Sequence, residues 1–513
     1  MALLPKPRWG FRTIAKTPML YRLWGVCRRP LVKAWEVRNE VPWDRARPGS
    51  SALTAAYERG FDAEVAIHNN EQVGTILWDF AKFFDYIDGD LLYKAGQELQ
   101  FPRIDLDLGL SMHYATRWLV ALHCFSADIT VYRSILAGCS LAIPFTRVYL
   151  RNELEPLIER YDMVTTTVYV DDISQMIIGS IRFVAHFLAC VALSFAQIAQ
   201  RLKLQLVDPD TGECKSTIVA SHPAIVAEVG FALRTLGLKL SHAPFCRDLG
   251  LLFSIHRARR TRILAPRLRE GGRRLRQVHW MARIDRNARR LARANPLPCA
   301  FWGAEAIGVS PTSMRRIRSQ TAAASGIVAH SRCATTAIRI GFHKDPAVEH
   351  VQRILQAWFA KVKDHPIPSR LLSAWRSIRA RICTGGVLGD DRVYWNRVTG
   401  PISALIATLV HYGWHPVFVD GWKDPEGSYY FMRAGAAVHS FINCVLDTVR
   451  DALWQSAAKH YMGKGLDSEP IWGLLFHAQG APGRWHARPS RTIGDNPLRR
   501  LLATSEGSRC LPN

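Results

Sequence analysis

Four consecutive residues offer the sharpest chemistry in the chain: Tyr169-Val170-Asp171-Asp172. Two adjacent carboxylates in a β-branched stretch are awkward to fold, because like charges at close range disfavour each other's ionised form. A divalent cation removes that conflict. The bland reading is a solvated Asp-Asp turn, and the four residues alone do not decide between the two. A third acid stands upstream, in Leu77-Trp78-Asp79-Phe80-Ala81-Lys82-Phe83-Phe84-Asp85, where Asp79 follows a short apolar run and Phe84 lies five residues further on. Between the two acidic segments is Ala137-Gly138-Cys139-Ser140, which reads as a Gly turn opening a helix. Downstream come Lys215-Ser216-Thr217 and Asp248-Leu249-Gly250-Leu251.

The elements that must position these residues are a mixture of strand and helix. Val73 to Leu77 is apolar enough for a buried strand ending at Asp79. Met163 to Gly179 is β-branched on both sides of Asp171-Asp172, the pattern of a hairpin turning at those two residues. Between Arg182 and Arg201 lie eighteen residues without Asp, Glu, Lys or Arg. His186, Ser194, Gln197 and Gln200 interrupt them, so a buried core helix is preferred to a membrane span. Further on, helical stripes appear at Val351, Ile354, Leu355, Trp358, Val362, at Ile402, Leu405, Ile406, Leu409, and at Val438, Phe441, Ile442, Val445, Val449, Leu453. These are core faces. Val419-Asp420-Gly421 reads as an exposed turn in preference to the opening of a ribonuclease H domain. The segment beyond Gly480, basic and rich in Pro, Gly and Ser, is expected to be loosely ordered.

At 513 residues the chain is long enough for about three domains. Lys and Arg total 67 against 43 Asp and Glu, a net of +24, which points to a polyanionic partner. Such an excess argues against an ordinary small-metabolite enzyme. Half of it is concentrated between His256 and Arg293, where fourteen Arg face two acids, Glu270 and Asp285. Crowding of Arg273, Arg274 and Arg276, and of Arg289, Arg290 and Arg293, destabilises a helix unless something neutralises it. Nucleic acid is the favoured neutraliser. The eleven cysteines are scattered without metal-ligand or disulfide spacing, as expected of a reducing compartment. Met1 to Arg12 holds no signal-peptide apolar region, so a nuclear or cytoplasmic protein is expected in preference to a secreted one.

Taken in order, the acidic, Gly, Lys and Leu-Gly segments resemble the motif series of the reverse transcriptases. Leu4-Pro5-Lys6-Pro7, Gly10-Phe11-Arg12-Thr13-Ile14 and Leu20-Tyr21-Arg22 resemble the fingers motif of that family, and Phe301-Trp302-Gly303-Ala304-Glu305 resembles the thumb of its non-LTR (LINE-like) retrotransposon branch. The resemblance runs over roughly residues 3 to 320. It implies an α+β right-hand polymerase: a fingers remnant over 1–70, an antiparallel-sheet palm over 71–255, a basic helical thumb and connection over 256–380, and a helical C-terminal region over 381–513.

The activity implied is RNA-directed DNA synthesis, with an RNA template, a DNA primer and deoxynucleoside triphosphates as partners and no membrane. Asp79, Asp171 and Asp172 would hold two Mg²⁺ ions, and Lys215 would protonate the departing pyrophosphate. Lys6 and Arg12 would neutralise the triphosphate, Phe84 would exclude a ribose 2′-hydroxyl, and Gly138 would line the nucleotide site. Arg273, Arg274, Arg276, Arg289 and Arg290 would grip the template–primer backbone. Ala137 departs from the family, which usually has Gln there to support the nucleotide and template strand. The chain also begins inside the fingers, so the resemblance implies an N-terminally truncated member. Two alternatives stay open: a catalytically idle nucleic-acid-binding relic, and an intron-type maturase polymerase.

Overall fold

The structure, a computed structural model, describes residues 2–5, 11–14, 17–118, 120–121, 124–327, 332–342, 344–362, 368–383, 394–432 and 436–459, with the backbone alone for 2–5, 11–14, 120–121 and 436. Lys6 and the segment beyond Gly480 therefore lie outside the described residues. In chain order the elements begin with strands β1 (Ala2–Pro5) and β2 (Phe11–Ile14), then helices α1 (Met19–Arg38) and α2 (Ala52–His68). Strand β3 (Gln72–Trp78) leads to α3 (Gly89–Glu98), α4 (Arg103–His113) and the short strands β4 (Val120–Ala121) and β5 (Cys124–Phe125). Then come α5 (Ala142–Arg160), β6 (Thr165–Tyr169), β7 (Asp172–Gly179), α6 (Ile181–Arg201), β8 (Thr217–Ala220), α7 (Pro223–Arg234) and β9 (Ser241–His242). Beyond them the chain is mostly helical, starting with α8 (Leu264–Ile284).

Two compact units are formed. One comprises Met1–Ala55 with Glu71–Leu249, the other Ala56–Asn70 with Gly250–Asn513. The first is α+β and centres on a five-stranded sheet in the order β6-β7-β3-β8-β9. Four of its strands run antiparallel as expected, while the edge pair β8–β9 is parallel, Thr217 facing Ser241. The crossover through α7 accounts for that, because a helix between two strands returns the chain in the same direction.

Strand β7 is buried on both faces from Ile173 to Ile177, and β3 is buried at Val73–Ile76. Helix α6 covers one face of the sheet. Its Ser180 cap accepts from the Phe183 N–H, and Val184, Leu188, Val191 and Phe195 are fully buried, each contributing about 1.5–3 kcal/mol. The approach is close at Gly74, where a Cβ would stand 2.7 Å from Leu188 Cδ2 and 2.9 Å from Val184 Cγ1. Long and apolar enough to cross a bilayer by composition, α6 instead has ten of its residues buried in this core. Its apolarity belongs to sheet packing.

The second unit is a helical assembly around Trp358, Trp375, Trp414 and Trp422. Val351, Ile354, Leu355 and Trp358 face its core from helix Pro346–Val362, with Val362 at the margin. Helix Pro401–His411 is buried from Pro401 to Leu409, and its first turn is capped by a distant side chain. Glu64, from α2, accepts hydrogen bonds from Ile402 N (2.7 Å), Ser403 N (3.3 Å), Ser403 Oγ (2.5 Å) and Thr399 Oγ1 (3.1 Å). A carboxylate at a helix N-terminus complements both the orphan N–H groups and the helix dipole. Asp420 and Gly421 stand at the entry to a small three-stranded antiparallel sheet.

Candidate active site

Sheet register brings the separated motifs together. The last β3–β7 pair is Trp78 with Ile173, so Asp79, just past the end of β3, and Asp172, the first residue of β7, lie at the same end of the sheet. On the other side of β3, Leu77 faces Thr217, the first residue of β8, so Lys215 precedes that strand at the same end, where it acts electrostatically on Asp79. Asp171 stands at the adjoining hairpin tip.

The hairpin turns one residue earlier than its sequence suggests. Tyr169 pairs with Asp172, which leaves Val170 and Asp171 as the central residues. A turn at Asp171-Asp172 would pair Val168 with Gln175 instead of Ile173, a two-residue slip of β6 along β7 that leaves each side chain on its own face. Val170 has φ +62°, whereas Asp171 is not left-handed, the pattern of a turn that ordinarily takes Gly first. A β-branched residue in that region costs on the order of 1–3 kcal/mol. Strain of this kind persists only where surrounding structure imposes it.

Asp79 is held from below. Its N–H donates to Ser216 Oγ at 3.0 Å, and Ser216 is fully buried. Although Asp79 is exposed at the surface, neighbouring protein displaces part of the hydration of its carboxyl and raises its pKa, an effect that Lys215 partly offsets. Lys215 Nζ bonds Asp208 Oδ2 at 3.0 Å, and Asp208, then Asp79, raises the pKa of the ammonium group. The Lys215 partner depresses Asp208 in turn. Lys82 reaches Asp210 at 2.8 Å and Ala81 N donates to Gln205 O at 2.8 Å, fastening the 205–215 segment to the stretch after Asp79. Ser216 and Asp208 escaped notice in the sequence. Ser216 lay inside a recognised tripeptide, but only the register reveals that its hydroxyl supports Asp79.

The nucleotide-side residues are partly gathered. Phe83–Asp85 forms a single 3-10 turn. The aromatic pair divides into an inner and an outer ring: Phe83 is buried, Phe84 half-buried and edge-on to it at 5.5 Å. Ile135 N donates to Phe84 O at 2.8 Å, which ties this turn to the segment entering Gly138. Gly138 has φ +99°, a conformation that favours Gly, shortly before α5 begins. His113 steadies the same segment by accepting from Leu136 N at 2.7 Å. Arg12 lies in β2 opposite Leu4, with only its backbone described.

The basic residues belong to the second unit. Helix α8 buries Leu264, Gly271, Gly272, Leu275, Val278 and Ala282 and turns its arginines outward. Two of them do not await an external anion. Arg273 and Arg274 both pair with Glu270, at 2.7 and 2.8 Å, and hold its carboxyl down to about 2. Arg274 also bonds Asn295 Oδ1. The expectation of uncompensated repulsion is thus corrected at these two residues, because Glu270 lies one helical turn away from both. Arg276 and Arg290 are exposed and Arg289 half-buried, and among the described residues none of the three has an acidic partner.

The donor set suits Mg²⁺, which takes carboxylate oxygens together with phosphate and water. Among the described residues, however, no three His, Cys, Asp or Glu side chains already stand grouped as a metal cage. Any ion would have to draw the carboxylates in, with substrate oxygens completing its shell.

No protein-family model and no curated protein matches the chain. Among solved structures it is similar to telomerase from Candida tropicalis in complex with a TWJ fragment of telomeric RNA, with TM-score 0.37 and 11% identity over 68% of this chain and 61% of that one. It is also similar to telomerase from Candida albicans in the same kind of complex, with TM-score 0.34 and 11% identity over 78% of this chain and 66% of that one. The chain spans less than two thirds of either, and likeness at these scores carries no functional argument.

Proposed function

We propose that the first unit is the palm of a template-dependent nucleotidyltransferase, an RNA-directed DNA polymerase of the non-LTR retrotransposon type. The observation that carries this reading is the convergence of Asp79, Asp172 and Lys215 on one sheet end, beside a strained hairpin that presents Asp171. Mg²⁺, when bound, would lower the pKa of the primer 3′-hydroxyl and offset charge on the phosphates. Asp79, Asp171 and Asp172 would hold it. The partial desolvation of Asp79 favours a carboxylate that gains from a cation. Lys215, kept protonated by Asp208, is poised to give a proton to the departing pyrophosphate. Phe84, whose carbonyl is tied to Ile135 ahead of Gly138, would pack its ring under a deoxyribose and leave no space for a 2′-hydroxyl. Exposed arginines of α8 would track the RNA–DNA backbone independently of sequence.

Primer extension on an RNA template with Mg²⁺ tests this. Wild-type chain should add deoxynucleotides, and Asp79→Asn or Asp171→Asn should lower the rate by at least about 10³-fold, since each removes a metal-holding oxygen. Extension undiminished by Asp79→Asn refutes the assignment. The second reading, an idle nucleic-acid-binding relic, is favoured by Ala137 and by the lack of a ready-made three-acid group among the described residues. It predicts tight hybrid binding with no extension by the wild type.

A further inference from the structure

Helix α1 is fixed on one side and bare on the other. Its inner face buries Gly25, Val32 and Trp35. Trp35 Nε1 donates to Leu99 O at 2.8 Å and Arg28 pairs with the buried Asp105 at 2.8 Å, so the helix is firmly seated. The outer face carries Met19, Leu23, Val26, Pro30, Ala34 and Val37, all exposed, with Leu23 at 55%, Val26 at 68% and Val37 at 63%. Their spacing of three and four residues draws one continuous apolar stripe along the whole length of the helix. A row of large apolar side chains on a rigid, solvent-facing helix marks an interaction surface.

Charge decides what fits it. Arg22, Arg29 and Lys33 line one flank of the stripe, and among the described residues no acid pairs with any of them. The opposite flank continues apolar through Leu20, Cys27 and Leu31, all exposed. A second copy packed antiparallel would set basic flank against basic flank; packed parallel, it would press those cations onto the apolar flank. Both arrangements are unfavourable. Nucleic acid would satisfy the cations and leave the stripe in water.

We propose that this face of α1 docks an amphipathic helix of another protein, one that lays its apolar side along the stripe and carries Asp or Glu opposite Arg22, Arg29 and Lys33. The stripe supplies the buried area, and the flanking cations set orientation and discriminate among partners. The helix is ordered before it binds, so the cost of ordering falls on the partner alone.

Titration of the full chain with two synthetic 21-residue helices tests the proposal. Both carry Leu at heptad core positions; one has Glu on its flanks and the other Lys. The Glu-flanked peptide should bind at least tenfold tighter. Val26→Asp, checked for an unchanged circular dichroism spectrum, should weaken that binding by at least tenfold. The double variant Arg29→Glu with Lys33→Glu, which alters exposed charges alone, should reverse the preference. Binding of neither peptide, or equal binding of both, overturns the proposal. So does Val26-dependent adsorption to phosphatidylserine vesicles without peptide binding, which assigns the face to a membrane. Val26-dependent self-association in sedimentation overturns it in favour of a second copy.

Discussion

The two units handle carboxylates in opposite ways. Glu64 is buried in the helical unit and fully occupied, with two backbone N–H groups and two hydroxyls aimed at its oxygens. Burial still raises its pKa, because those bonds offset only part of the lost hydration. Asp79 sits at an exposed sheet end, its backbone supported by Ser216 and its carboxyl influenced by Lys215 without a hydrogen bond between them. The contrast separates two uses of an acid. A carboxylate whose acceptor capacity is filled by its own chain is part of the architecture, whereas one positioned through its backbone alone keeps its oxygens for something else.

Substitution at the two acids should therefore have crossed effects. Glu64→Ala strands two helix N-terminal N–H groups in a dry interior and should cost about 3 kcal/mol, with a fall in Tm of roughly 2–4 °C per kcal/mol. Asp79→Asn should abolish extension while leaving Tm unchanged or slightly raised. The sign follows from linkage: a carboxyl whose folded pKa lies above its unfolded value loses stabilisation as pH rises through that interval, so removing the charge at neutral pH relieves the fold. Thermal melts of both variants beside their extension rates check the contrast. Equal Tm losses would erase it.

What was legible in the sequence follows the same division. The acids, the Gly turn and the Lys-Ser-Thr segment could be found because residue type and order are chemistry, and the stripes of the helical unit because a core imposes period. Supporting partners could not. Glu64 and the helix it caps are far apart along the chain, and nothing local marks a Glu on α2 as the cap of Pro401–His411. The hairpin turn was misplaced by one residue because the Asp-Asp pair suggested a turn more strongly than Val170 did. The turn follows from the pairing of Tyr169 with Asp172, and that pairing belongs to the assembled sheet. Which ring of the Phe83-Phe84 pair turns inward was not legible either: the two lie on a 3-10 turn, with Phe83 buried and Phe84 half-buried.

Buried histidines extend the comparison to pH. His113 in the first unit and His350 in the second are both depressed to about 3, chiefly by desolvation. Each spends a ring nitrogen as an acceptor, from Leu136 N at 2.7 Å and Val309 N at 3.2 Å. Below an unfolded pKa near 6.5 the unfolded chain takes up protons that the folded chain refuses. Each histidine should thus withdraw up to about 1.4 kcal/mol per pH unit, or about 2 kcal/mol by pH 5. Denaturant melts from pH 7 to 5 should show that slope, and His113→Phe should flatten the transition of the first unit alone. If His113→Phe leaves the slope intact, its ring does not titrate as described.

The smallest effect concerns the arginines of α8, where the same distinction between committed and uncommitted charge applies. Arg273 and Arg274 share Glu270, so each starts from a neutralised state and a phosphate must compete with an existing partner. Arg276 is exposed on the same helix and, among the described residues, has no acid beside it. A cation that meets a phosphate releases a counterion and adds about 0.9 to the slope of log affinity against log salt. Arg276→Gln should therefore weaken RNA–DNA hybrid binding at low salt and reduce that slope by nearly one. Arg273→Gln should change it less, because Arg274 would retain Glu270 and the local net charge would fall from a partly compensated cluster. Filter binding between 50 and 200 mM salt, a range wide enough to resolve a unit of slope, reads the difference. A larger drop for Arg273→Gln than for Arg276→Gln would mean that the Glu270 pairing gives way when nucleic acid arrives, and that a filled partner does not define an idle charge on this helix.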